Sequence, residues 1–113
     1  MADMNDVVSQ SKHAMGKLYK EHAPLMDGFR GLSKAAMADG ALSRKQKELI
    51  AAALSVTSGC DRCIAHHVRG CLDNGATRQE VLEAAGVAVL MGGGPALMCA
   101  ESVLQALDDF GAT

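Results

Sequence analysis

A chain of 113 residues, 49% of them hydrophobic, supports a single domain (residues 1–113), and one so short buries only part of its apolar surface alone. A net charge of −2 and a pI near 6.0 exclude the basic field that nucleic acid or anionic lipid would require. Two Phe, one Tyr and no Trp leave no base-stacking platform and a core built from Ala, Leu, Val, Ile and Met.

In chain order, helical periodicity recurs and no period-two alternation marks a strand. A mostly polar first helix is predicted over Asn5–Glu21, ending ahead of Pro24. A second, Pro24 to about Ala38, carries Leu25, Phe29, Leu32 and Ala36 on one face and stops at Asp39-Gly40. Ser43 caps a third, with Gln46 completing a capping box, and Leu49, Ile50, Ala53 and Leu54 mark its expected buried face. A fourth starts near Cys60 and ends at Asn74-Gly75. A fifth opens on the capping box Thr77-Arg78-Gln79-Glu80 and is apolar through Val81, Leu82, Ala85 and Val89. Gly92-Gly93-Gly94 break it, and Pro95 suits the first turn of a sixth reaching about Phe110. The fold class is all-α, a bundle of about six helices with antiparallel neighbours. The small residues Ala84, Ala85, Gly86, Ala88, Ala96 and Ala100 allow close approach, either within the subunit or between subunits.

The polar, acidic N-terminus has no basic region followed by an apolar one, so no signal peptide is expected. Gly92 to Pro95 interrupt the apolar stretch from Val81 to Ala100, which is not read as a membrane span. Four cysteines without an export signal read as thiols in a reducing compartment, and the expected location is cytoplasmic.

The chemistry concentrates at Cys60-Asp61-Arg62-Cys63, with His67 four residues beyond the second cysteine and Glu48 twelve before the first. On one helix, Cys60, Cys63 and His67 fall at i, i+3 and i+7 along a stripe. Thiolate is favoured at a helix N-terminus, and an imidazole one turn away can share the Cys63 proton. An antiparallel hairpin of the third and fourth helices can return the Glu48 carboxylate to this neighbourhood. Such a dithiol can be oxidised to a sulfenic acid by peroxide and closed into a disulfide. Cys63 is the natural attacking residue and Cys60 the natural resolving one.

Competing readings are weaker. Cys60, Cys63, His67 and Cys71 superficially resemble a zinc knuckle, but Cys60 and Cys71 on one helix lie about 16 Å apart, too far for one tetrahedral ion. A thioredoxin-like site requires a βαβ context that is missing. A purely structural cysteine pair leaves the histidine without a purpose. Cys71 and Cys99 each read as a small buried hydrophobe. His66 points about 100° from His67 and reads as a partly exposed or interface side chain, and His13 and His22 as surface residues. Met15, Met26, Met37, Met91 and Met98 read as core filler, and the glycine run follows a helix, not the strand a phosphate loop would need.

The pattern Glu48-x11-Cys60-x2-Cys63-x3-His67, with Lys47-Glu48-Leu49-Ile50-Ala51 and Gly86-Val87-Ala88 running to Met91-Gly92-Gly93-Gly94-Pro95, resembles the carboxymuconolactone decarboxylase superfamily, in its alkyl hydroperoxidase D-like branch. The resemblance runs from about Leu32 to Phe110. It implies a helical subunit forming trimers or hexamers, with thiol peroxidase or disulfide reductase activity and no cofactor. It also implies roles: Cys63 becomes the sulfenic acid, Cys60 donates a proton and resolves, and His67 with Glu48 relays protons. The implied substrates are a peroxide or a disulfide, and the implied reductant an external thiol: a lipoyl-type dithiol, a thioredoxin-like protein or a small thiol. Arg62 stands where the best-known peroxidase of the branch has a histidine, and that enzyme repeats the helical unit found once here. The namesake decarboxylase lacks the dithiol, which argues against lactone chemistry in this chain. Two other functions remain as alternatives: a lyase or isomerase using Glu48 and His67 as acid and base, and a non-enzymatic oligomer that binds zinc or senses oxidation.

Overall fold

Capping chemistry sets the helix boundaries. The computed structural model describes residues 2–113, which form helices and no strands. The elements are α1 (Met4–Glu21), α2 (Ala23–Met37), α3 (Arg44–Ser58), α4 (Asp61–Asp73) and α5 (Arg78–Asp109). Ser43 and Thr77 both form full capping boxes, with Gln46 and Glu80 respectively, as their sequences predict. Gly59 ends α3 with φ 69°, a left-handed conformation that suits glycine, and turns the chain directly into Cys60.

The fifth and sixth helices expected from the sequence are the two arms of α5, which follow one another directly across a non-helical Gly93 with no intervening loop. The break is where the sequence places it. Gly93 adopts φ 70° and ψ −151°, and the chain doubles back there. A straight 32-residue helix would be about 48 Å long. Arg78 at one end of α5 instead pairs with Asp108 at the other, at 2.8 Å. By length and composition α5 is apolar enough to cross a membrane. Its two arms, however, bury Val81, Ala85, Ala88, Ala96, Val103, Ala106 and Leu107 against the rest of the chain.

The core lies where α3, α4 and the arms of α5 meet, around Val56, Ile64, Val68, Val81, Val103 and Leu107. α1 closes one side. Its buried Met4 donates its backbone N–H to Asp109 at 2.9 Å, and Asn5 donates to the Asp109 carbonyl.

Two expectations about burial are corrected, for α3 and for the methionines. In α3 the inward face is Glu48, Ala52, Ser55 and Val56, while Ile50 and Leu54 are exposed and Leu49 and Ala53 are half-buried. Small Ala52 and Ser55 let α4 and α5 approach closely, and the bulky residues turn to the opposite side. In α2, Leu25, Phe29 and Leu32 do share a face, yet no residue of the helix is buried. The methionines expected as core filler are not core: Met15, Met91 and Met98 are exposed, Met26 and Met37 are half-buried, and among the described residues the buried methionine is Met4. These side chains lie on faces that nothing in the subunit covers.

Candidate redox site

Cys60 is the N-cap of α4, and its sulfur accepts the Cys63 backbone N–H at 3.2 Å. The two cysteines are joined as a disulfide with their Cα atoms 5.2 Å apart, inside the usual range for that bond. Both are half-buried. In the reduced state a sulfur at this position faces free N–H groups and the positive end of the helix dipole, which favour thiolate. Asp61, the first helical residue, accepts a hydrogen bond from the buried Ser102 hydroxyl at 3.2 Å, tying this end of α4 to α5.

One turn beyond Cys63, His67 meets Glu48. The helical hairpin returns the carboxylate as expected: His67 Nδ1 donates to Glu48 Oε2 at 3.0 Å. Glu48 Oε1 accepts from Arg44 Nε and from its terminal nitrogen, each at 3.1 Å. Glu48 is 2% exposed, and burial is the largest influence on its pKa, pushing it upward. Hydrogen bonds and charges from His67 and Arg44 together outweigh burial, and the carboxyl lies below its ordinary value. An ionised Glu48 can only accept, so it fixes the proton on His67 Nδ1 and leaves Nε2 as the basic nitrogen.

Two members of this arrangement were not singled out from the sequence. Arg44 lies one turn before Glu48 and supplies the second neutralising group. Gly70 lies three residues after His67, and a Cβ built there would come within 2.7 Å of the Glu48 carboxyl carbon. The absent side chain is the space the carboxylate occupies. An isolated glycine inside a helical pattern is the signal that could have found it.

The remaining candidates separate clearly. His66 is exposed and meets His67 edge-to-face with ring centroids 4.9 Å apart; desolvation first, then the charge of His67, lowers its pKa. His13 and His22 are exposed. Cys71 is fully buried, and burial pushes its thiol up to about 12, while Cys99 is half-buried. Among the described residues, no three His, Cys, Asp or Glu side chains converge as a metal site.

The carboxymuconolactone decarboxylase family profile matches residues 23–106. A solved carboxymuconolactone decarboxylase family protein from Legionella pneumophila is 44% identical, with a TM-score of 0.91 over 95% of this chain and 96% of that one. A Thermotoga maritima structure aligns with a TM-score of 0.86 at 26% identity, covering 93% of this chain and 92% of that one. Another structure of that Thermotoga protein is described with a suggested part in an antioxidative response. An uncharacterized protein of Cupriavidus necator is 37% identical over 106 residues, 94% of each chain.

Proposed function

The chain belongs to the carboxymuconolactone decarboxylase family, and from that premise we propose that it is a thiol-dependent oxidoreductase, a peroxidase or disulfide reductase, cycling Cys60 and Cys63. The observation that carries this reading is the Cys60–Cys63 disulfide at the start of α4, one turn from a histidine held by a buried carboxylate.

In the peroxidase direction, the Cys63 thiolate attacks a peroxide oxygen. The O–O bond breaks, Cys63 becomes a sulfenic acid, and the alkoxide leaves as alcohol after taking a proton from the His67–Glu48 relay or from Cys60. The Cys60 thiol then attacks the sulfenic sulfur, forming the disulfide and releasing water. An external dithiol restores both thiols and is itself oxidised to a disulfide. His67 Nε2 serves as the base because Glu48 occupies Nδ1. Run against a disulfide substrate, the same dithiol delivers two electrons by thiol–disulfide exchange.

The uncovered apolar side chains of α2, α3 and the α5 turn outside the α1–α2 cavity, among them Leu32, Leu54, Leu90 and Met91, support a homo-oligomer, a trimer or hexamer, as the working form. A transient, catalytic disulfide is consistent with the cytoplasm, and the proposed cycle needs no cofactor.

The test is to mix reduced, metal-free protein with one equivalent of an alkyl hydroperoxide, quench with an alkylating agent over time, and map cysteines by mass spectrometry. Rapid formation of the Cys60–Cys63 disulfide with Cys71 and Cys99 free is the expected result. Slow or indiscriminate oxidation rejects the peroxidase direction. Failure to exchange with lipoyl-type or small disulfides as well rejects the thiol reading.

A further inference from the structure

A cavity of about 420 Å³ opens between α1, α2 and the exposed edge of α4, a volume typical of small-molecule sites. Met15, Met26 and Phe29 supply apolar wall, while Tyr19, Arg30 and His66 supply polar groups. We propose that this cavity binds an alkyl carboxylate, with the acid group on Arg30 and the chain along Met15, Met26 and Phe29.

Charge complementarity selects the occupant. Among the described residues Arg44, Arg69 and Arg78 each have a carboxylate within ion-pair distance, whereas Arg30 and Arg62 have none; of these two only Arg30 lines the cavity, where its guanidinium lies beside the Tyr19 hydroxyl. The nearest acid on the same helix, Asp27, already accepts the Tyr19 hydroxyl and does not line the cavity. Lys12 adds positive charge on the His66 side, where it opposes protonation of that ring. An apolar trough edged by a guanidinium that has no carboxylate partner suits an amphipathic anion better than a neutral or cationic ligand. His66 forms part of the cavity wall and packs edge-to-face on His67, which joins the cavity to the redox site. On the thiol reading, the organic part of the substrate is therefore an acid-bearing alkyl chain. That consequence rests on the thiol reading; the binding itself does not.

Tyr19 is the only tyrosine in a chain without tryptophan, so intrinsic fluorescence reports on this cavity. Full-length protein is titrated with decanoate below its micelle threshold, and in parallel with decanol. The expected result is a saturable change with both, decanoate binding more tightly. R30Q should weaken decanoate about tenfold and leave decanol unchanged, the loss of one charged hydrogen-bonded contact. Gly16 also lines the cavity, and a Cβ there would meet nothing within 4 Å, so G16L should fill it and abolish both responses. Leucine favours helix over glycine, and circular dichroism checks that the fold is kept. No saturable response, or responses untouched by R30Q and G16L, overturns the proposal. So does a response absent because a second copy covers the cavity, which sedimentation at increasing protein concentration would reveal. Binding by the C60S/C63S double variant, whatever the outcome with peroxide, separates this proposal from the thiol reading.

Discussion

The two ends of α4 carry the same functional group in opposite surroundings. At the N-terminal end, Cys60 and Cys63 are half-buried and joined to each other, and the Cys60 sulfur accepts a first-turn N–H. Two turns on, Cys71 is fully buried, and burial followed by the charges of Glu48 and Glu80 pushes its thiol up to about 12. Glu48 thus acts twice: it holds His67 through Nδ1 and helps to keep Cys71 protonated. The contrast between these thiols comes from position along the helix dipole and from burial, which are what should set any difference in their reactivity.

The largest effect that can break this comparison is loss of turnover. C63S should abolish peroxide or disulfide turnover, and C60S should trap a sulfenic acid on Cys63, detectable by mass spectrometry. C71A should retain turnover. In folded, reduced protein at neutral pH, Cys71 should also be alkylated far more slowly than Cys60 and Cys63. Comparable alkylation rates at both ends of α4 would remove the distinction altogether.

Next in size is the space that Glu48 occupies. G70V places branched carbon where the Glu48 carboxyl carbon stands, and the carboxylate must leave its partners or α3 must move off α4. Overpacking with disruption of a buried ion pair should cost about 3 kcal/mol or more, read as a loss of unfolding free energy in denaturant titration. Truncating the carboxylate in G70V/E48A should cost less than the sum of the two single variants, because the clash is gone. Strict additivity would mean that the two positions do not share space.

Much of this arrangement was legible because local chemistry decides it. Both capping boxes and the break at the glycine run follow from one or two residues with one good backbone solution. The meeting of Glu48 with His67 was legible as a possibility of the α3–α4 hairpin, and the turn at Gly59 realises it. What periodicity misread was burial. Ile50, Leu54, Phe29 and Leu32 carry the apolar pattern of a core face, yet that pattern records only that a face avoids water. It does not say whether the cover comes from the same chain. The core face of α3 went unrecognised because a charged residue, Glu48, lies on it, accommodated by Arg44, His67 and an absent side chain at Gly70.

A smaller effect appears on the pH axis. Glu48 has its folded pKa lowered from 4.5, so it contributes stability that is fully present above the unfolded value and is lost as pH falls through the folded one. Wild-type stability should therefore decline on acidification below the ordinary glutamate range, and E48Q should flatten that decline while lowering stability near neutrality. An unchanged acid limb in E48Q would place the titrating carboxylate elsewhere.

The smallest expected effect tests what holds the N-terminal, disulfide-bearing end of α4 in place. The Ser102 hydroxyl donates to Asp61 Oδ1 at 3.2 Å, the one side-chain hydrogen bond described between the first turn of α4 and α5. S102A removes a methyl-sized polar group from a buried site but leaves its acceptor, Asp61, exposed enough for water to replace it. The cost should accordingly be about 1 kcal/mol or less in unfolding free energy. Its signature should be local: Cys60 and Cys63 alkylation rates should change, whereas that of Cys71, held by the core of the same helix, should not. A change of equal size at both ends would show that α4 moves as one rigid rod, and that the contrast between its cysteines comes from burial and charge alone.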